Sequence, residues 1–99
     1  MRYQLRDYTL KDGAIDDFVR EWRDSIVPLR ERFGFHVVGG WVVEGDNRFV
    51  WIVGYDGPGG YEARDREYYE SSERASLDPN PARHIDEIRV VMMNEAGSP

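Results

Sequence analysis

The sequence predicts an α+β domain: one four-stranded antiparallel sheet with helices on one side, in the order strand, helix, strand, strand, helix, strand. Three observations carry that prediction. The first strand-like segment, Tyr3 to Leu10, alternates in character and is rich in β-formers. A single long apolar stripe of helical period follows it. The segments Phe35–Glu44, Arg48–Tyr55 and Ile85–Met93 are apolar on both faces, because alternate side chains leave a strand on opposite sides. One layer of helices covers only one face of a small sheet. The other face therefore needs a partner, most simply a second copy of the chain. The element order is that of the ferredoxin-like βαββαβ arrangement. Two such sheets packed face to face make a closed or nearly closed barrel.

In the first strand, Tyr3 and Leu5 share one face and Gln4, Arg6 and Tyr8 the other. Lys11-Asp12-Gly13 reads as a turn, with Asp12 placed to cap the next helix. That helix is expected over Ala14 to Phe33. Ile15, Phe18, Val19, Trp22, Ile26, Leu29 and Phe33 recur at steps of three and four and form its apolar stripe. Pro28 lies inside the pattern. It lacks a backbone donor and crowds the preceding turn, so a kink or break is expected near Asp24 to Val27. Gly34 is placed for a left-handed cap.

The strand from Phe35 to Glu44 contains Gly39-Gly40, a sign of a bulge or of close approach by another group. Gly45-Asp46-Asn47 is a short hairpin turn. In the next strand Phe49, Trp51, Val53 and Tyr55 line one face, with Val50 and Ile52 on the other. The loop Asp56 to Gly60 precedes a second helix, Tyr61 to about Ala75, which has few apolar residues and turns its tyrosines inward. Asp78-Pro79-Asn80-Pro81 is a rigid loop before the last strand. Residues 1–94 form one domain, and 95–99 read as a loose C-terminal tail.

Composition narrows the function. The chain has 99 residues, enough for one modest core, with three Trp, six Tyr and four Phe. Its net charge of −6 argues against nucleic acid or an anionic membrane as partner, since both demand a basic surface. There is no Cys, which removes disulfides, thiolate nucleophiles and Cys metal sites. No apolar run has signal-peptide length, and none approaches the roughly 20 residues of a membrane span. A cytoplasmic location is expected.

Several pieces of the sequence resemble the NIPSNAP family. They are the opening Gln4-Leu5-Arg6-Asp7-Tyr8 with Gly13, then Val27-Pro28-Leu29-Arg30, Gly34-Phe35, Gly40-Trp41, and Asn47-Arg48-Phe49-Val50 running to Tyr55-Asp56. The resemblance is strongest over the first 56 residues. Gln4 stands where such domains usually carry an acid, and Val53-Gly54 where they commonly carry Trp-Arg. The resemblance implies the dimeric α+β barrel superfamily, and so the same fold and homodimer. That superfamily includes cofactor-independent monooxygenases, haem-degrading enzymes, isomerases and cyclases, with pockets usually between helices and sheet.

The residues that could carry chemistry are few. Arg6 lies on a strand that should be central, and a buried guanidinium needs an anionic partner or ligand. It could clamp an anion or enolate, with Tyr8 as hydrogen-bond donor; alternatively it pairs with a structural acid such as Glu44 or Glu87. His36 and His84 are the only histidines and the candidate bases. Trp51 and Tyr55 could wall a pocket for a planar substrate or else fill the core or the dimer interface, with Tyr68 and Tyr69 at the pocket mouth and Gln4, on the strand face of Arg6, as a further binding residue; Trp41 and Trp22 read as packing. Arg64 to Arg74 reads as a solvated, ion-paired face. Two distant histidines make no metal motif, so neither a metal nor an organic cofactor is expected. Two functions fit. One is a small-molecule enzyme acting on an activated aromatic or polyketide-like substrate by isomerisation, cyclisation or cofactor-free oxygenation. The other is a non-catalytic dimeric protein that binds a small hydrophobic or aromatic ligand or serves as a scaffold.

Overall fold

A computed structural model describes residues 1–97. Its four strands are β1 (Arg2–Leu10), β2 (His36–Val42), β3 (Arg48–Tyr55) and β4 (Ile85–Asn94), all antiparallel, in the sheet order β2-β3-β1-β4. This is the ferredoxin-like α+β arrangement that the sequence predicts, with β1 central. β1 alternates strictly in burial: Gln4, Arg6, Tyr8 and Leu10 are buried, while Tyr3, Leu5, Asp7 and Thr9 are only half-buried. Phe49, Trp51, Val53 and Tyr55 of β3 join the buried set. The covered face is therefore the one that carries Arg6.

The long first helix is one rod in three parts. α1 (Ile15–Glu21) leads into a π-helical turn (Trp22–Ile26), and α2 (Val27–Arg32) continues it, with Pro28 in its first turn. In an uninterrupted α-helix the Pro28 ring would collide with the Asp24 carbonyl. The wider turn relieves this, and the Val27 N–H reaches back five residues to the Trp22 carbonyl. The expected kink thus takes the form of a π-bulge. Gly34 closes the rod at φ +89°. Asp12 does not cap it. No side chain caps α1, and Asp12 accepts a hydrogen bond from Asn47 in the neighbouring turn instead.

The glycine pair in β2 does both things expected of it. The register with β3 shifts between Val37 and Gly39, leaving Val38 as the extra residue of a bulge. A Cβ on Gly40 would stand 2.5 Å from Phe49 and 2.7 Å from Trp22, so only glycine lets the helix settle there. The second helix departs from expectation. It is two pieces, α3 (Tyr61–Glu70) and α4 (Ser72–Ala75). Ser71 takes an extended ψ of 151°, and its side chain accepts from the Arg74 N–H at 3.0 Å. Ser at this position favours capping a new helix over extending the old one.

The core is aromatic. Phe18, Phe35, Phe49, Trp51, Tyr61 and Tyr68 are all buried between helices and sheet, meeting mostly edge to face. The opposite face is uncovered. Across it run Trp41, Val50, Ile52, Leu5 and Val91, beside a cluster of Asp7, Arg48 and Arg89. Trp41 and Val91 are at least half exposed. β4 ends at Asn94, and the Tyr3 hydroxyl donates to Glu95 at 2.8 Å. The last two residues of the expected tail, 98–99, lie outside the described residues. No helix among the described residues is long and apolar enough to cross a membrane.

Candidate functional site

Two arginines are buried side by side under the helices. Arg6 comes from the centre of β1 and is 5% exposed; Arg30 comes from α2 and is fully buried. Arg30 falls on the helix stripe, four residues after Ile26 and three before Phe33, which is why it points to the sheet rather than to solvent.

Their partners differ. Arg6 donates through Nε to the Tyr8 hydroxyl at 2.7 Å, through Nη1 to Gln4 Oε1, and through Nη2 to the Tyr69 hydroxyl at 2.7 Å. All three acceptors are neutral. Neither Glu44 nor Glu87 reaches it: Glu87 sits in register with Thr9 and binds Arg89 on the other face. Arg30 donates through Nη1 to Asp65 Oδ1 at 2.6 Å and through Nη2 to the same Tyr69 hydroxyl at 3.3 Å. Two guanidinium charges thus share one carboxylate.

The surroundings are aromatic and short of acceptors. The Arg30 guanidinium lies 4.0 Å from the Tyr68 ring centre and 4.7 Å from that of Phe35. Both guanidiniums lie 5.6 Å from a Trp51 ring, in cation–π range. Arg30 Nε is buried without an acceptor among the described residues. Such orphan donors are uncommon in native interiors. Burial works against the charge of Arg6 and of Arg30, but the neighbouring tyrosine oxygens and Asp65 hold both firmly protonated. Burial also raises the Tyr8 phenol against the pull of Arg6, so at neutral pH it is a neutral hydroxyl able to donate. Tyr61, whose hydroxyl donates to Gln4 Oε1 at 3.1 Å, is raised in the same way by burial.

The cluster has an open side. Ile88 and Val90 of β4 stand in register with Tyr8 and Arg6 on the helix-covered face, yet both are exposed, because the helices stop short of this edge strand. Tyr69, on α3, is 44% exposed while its hydroxyl reaches inward to both arginines.

The structure therefore brings together Arg6, Tyr8, Gln4, Trp51 and Tyr69, and leaves three of the expected residues elsewhere. His36 is exposed and in register with Gly54, on the uncovered face. His84 sits beyond the far end of β1, just before Ile85, which pairs with Leu10. Four residues along a strand separate that position from Arg6, about 13 Å. There the His84 ring meets Glu21 at 3.1 Å and packs edge-on against Phe18. Tyr55 donates to the Pro58 carbonyl at 3.0 Å and lines a different hollow of about 470 Å³, together with Met1, Arg2, Asp56 and Tyr61. That hollow does not contain Arg6.

The sequence reading missed Arg30 and Asp65. Arg30 had a signal, its place on the stripe; Asp65 had none, and the expectation of a solvated face from Arg64 to Arg74 is corrected at that residue. No group of three or more metal-ligating side chains converges among the described residues.

Comparison with known proteins bears on the whole chain. The family model described as NIPSNAP matches residues 3–98. The structure superposes on an uncharacterised NIPSNAP domain protein from Burkholderia xenovorans with a TM-score of 0.83 at 17% identity, covering 100% of this chain and 99% of that one. A NIPSNAP family protein of unknown function from Agrobacterium tumefaciens gives 0.79 at 23% identity, over 94% of this chain and 86% of that one. An antibiotic biosynthesis monooxygenase gives 0.66 at 20% identity, over 98% and 100%. At these identities the likeness is one of fold. No curated protein sequence matches.

Proposed function

Taking as premise that the chain belongs to the NIPSNAP family, we propose that it is a homodimer that binds a small aromatic or polyketide-like molecule beside Arg6 and activates it without metal or organic cofactor. The carrying observation is the company of Arg6: a buried guanidinium whose three hydrogen bonds all end on neutral oxygens. Burying a charge is costly unless an opposite charge or a full set of hydrogen bonds offsets it. A site of this kind suits a reaction in which negative charge develops on a substrate oxygen. Arg6 would hold that oxygen, and the Tyr8 hydroxyl, whose own proton no partner among the described residues takes, would donate to it. Enolate formation, a shared step of isomerisation, cyclisation and cofactor-free oxygenation, would here release the carbon-bound proton to solvent water at the open side of the cluster while the oxygen keeps the electron pair. The fold shared with an antibiotic biosynthesis monooxygenase agrees with that class by analogy only.

The uncovered face supports the homodimer. Trp41, Leu5, Val50, Ile52 and Val91 present an apolar surface that a second copy would cover about a twofold axis.

One observation favours a second reading, that of a binding protein without catalysis. Neither histidine reaches Arg6, so the cluster has no imidazole base. Solvent deuterium exchange into an enolisable aryl ketone separates the two. Catalysis predicts exchange faster than in buffer, lost in Arg6→Gln with the fold intact by circular dichroism. Exchange at the buffer rate, with the ketone bound, would eliminate the enzyme and leave the binding protein.

A further inference from the structure

The Tyr69 hydroxyl occupies a position that neutral oxygens seldom hold. It lies 2.7 Å from Arg6 Nη2 and 3.3 Å from Arg30 Nη2, between two buried cations. With Asp65 as the one carboxylate at the cluster, the charges of Arg6, Arg30 and Asp65 leave a surplus of one positive charge. An anionic oxygen at that point would accept two hydrogen bonds between opposite charges in place of two in which only the donor is charged, and would neutralise the surplus. Arg30 also keeps its buried Nε without an acceptor among the described residues, so what the cluster lacks is acceptor, not donor. Tyr69 is also the member of the cluster open to solvent, being 44% exposed whereas Arg30, Tyr68 and Trp51 are buried. Beside it, the exposed Ile88 and Val90 offer an apolar bed for the body of a ligand.

We propose that the site takes a monoanionic aromatic or polyketide-like molecule through one oxygen anion that bridges Arg6 and Arg30, and that Tyr69 is the gate whose hydroxyl fills that place until the ligand displaces it. This rests on the reading of Arg6 as the binding site and adds three things to it: the charge of the ligand, a second arginine, and a residue that competes with the ligand. The single surplus charge selects a monoanion. The aromatic walls and the apolar bed select a flat, largely apolar body over a sugar phosphate or a nucleotide.

The test uses 4-nitrophenolate as the anionic probe and 4-nitroanisole as its uncharged counterpart, with binding followed by calorimetry and by the absorbance of the phenolate at neutral pH. Tyr69→Phe keeps the ring and removes the competing oxygen. It should bind 4-nitrophenolate roughly ten- to a hundredfold more tightly than the native protein, the worth of one hydrogen bond to a charged group. Arg30→Gln should weaken the probe by a similar factor, and 4-nitroanisole should bind worst to every variant. Unchanged or weaker binding by Tyr69→Phe overturns the gate. Retained binding by a folded Arg30→Gln overturns the bridge. Equal binding of the two probes, or no binding of 4-nitrophenolate at millimolar concentration to either the native protein or Tyr69→Phe, overturns the anion site. If Arg30→Gln does not fold, the Tyr69→Phe ratio decides alone. The outcome is separable from that of the deuterium exchange: an anion site without exchange leaves the bridge standing in a binding protein, whereas Arg6-dependent exchange without phenolate binding leaves the reaction standing and removes the bridge.

Discussion

The two faces of this sheet hold their arginines in opposite company. On the uncovered face, Asp7 of β1 receives Arg48 of β3 at 2.9 Å and Arg89 of β4 at 3.3 Å, and Arg89 also reaches Glu87 at 2.7 Å. Every guanidinium there has a carboxylate, although water could serve it equally well. In the buried cluster under the helices, Arg6 hydrogen-bonds to no carboxylate and Arg30 holds the one found there among the described residues. Residues 6 and 7 are neighbours in sequence and send their side chains to opposite sides, so one strand separates the two regimes. Electrostatics run in the direction opposite to what stability alone would choose, since unpaired charge is least costly where the dielectric is high. A surplus kept in the buried region suits the proposed site, and pairing kept on the open region suits the proposed assembly.

The largest effect expected from this comparison is at Trp51, the ring that both buried arginines approach at 5.6 Å and that Trp22 meets edge-on at 6.0 Å. Trp51→Ala removes a side chain that is essentially unexposed. It should cost about 3–5 kcal/mol in chemical denaturation. A loss within about 0.5 kcal/mol, the range of ordinary surface changes, would mean that the covered face is not the load on which stability depends.

Trp41 tests the other side. It lies in register with Val50 on the uncovered face and is half exposed. Trp41→Asp should leave the fold of the single chain within about 0.5 kcal/mol of native, while raising the dimer dissociation constant about 30-fold or more, the effect of losing a central aromatic anchor of about 2 kcal/mol. Sedimentation velocity at micromolar concentration reads both proteins. A native protein that sediments as a monomer there, or a Trp41→Asp dimer as tight as native, would break the assignment of this face to assembly.

How much of this was legible in the sequence depends on which regularity carried it. Alternation along β1 put Arg6, Tyr8 and Gln4 on one face, and the structure keeps them there. The face of Trp41 was not legible, because the bulge at Val38 resets the alternation of β2 and only the pairing with β3 reveals it. The break near Pro28 could be foreseen as a missing donor, but not its resolution into a π-helical turn. Arg30 was hidden by the method of reading: an apolar stripe is traced through apolar residues, and a charge that shares the stripe is passed over. Asp65 was beyond reach, since 35 residues separate it from Arg30 and only the return of α3 over α2 brings them together. The histidines drew attention for their chemistry alone, and nothing in their spacing tied them to Arg6.

The smallest effect is the most specific to the comparison. The Asp7 carboxyl is held below the usual carboxylate range by hydrogen bonds and charge from Arg48, seconded by Arg89 and opposed by partial burial. A carboxyl whose pKa is lower in the folded than in the unfolded chain adds stability that is fully present above the unfolded value, about 4, and is lost as the pH falls through the folded one. The arginines are each more than a third exposed, so solvent screens the pair and its worth is about 1 kcal/mol or less. At a fixed protein concentration, Asp7→Asn should therefore be less stable than native by that amount at pH 7, and the two denaturation curves should converge as the pH drops below about 4. Arg6 makes no hydrogen bond to a carboxylate, so Arg6→Gln should change stability by nearly the same amount at pH 7 as at about pH 2. A constant difference for Asp7→Asn across that range would mean that Asp7 acts through shape rather than charge. A pH-dependent difference for Arg6→Gln would mean that a carboxylate does serve the buried arginine, and the contrast between the two faces would fall with it.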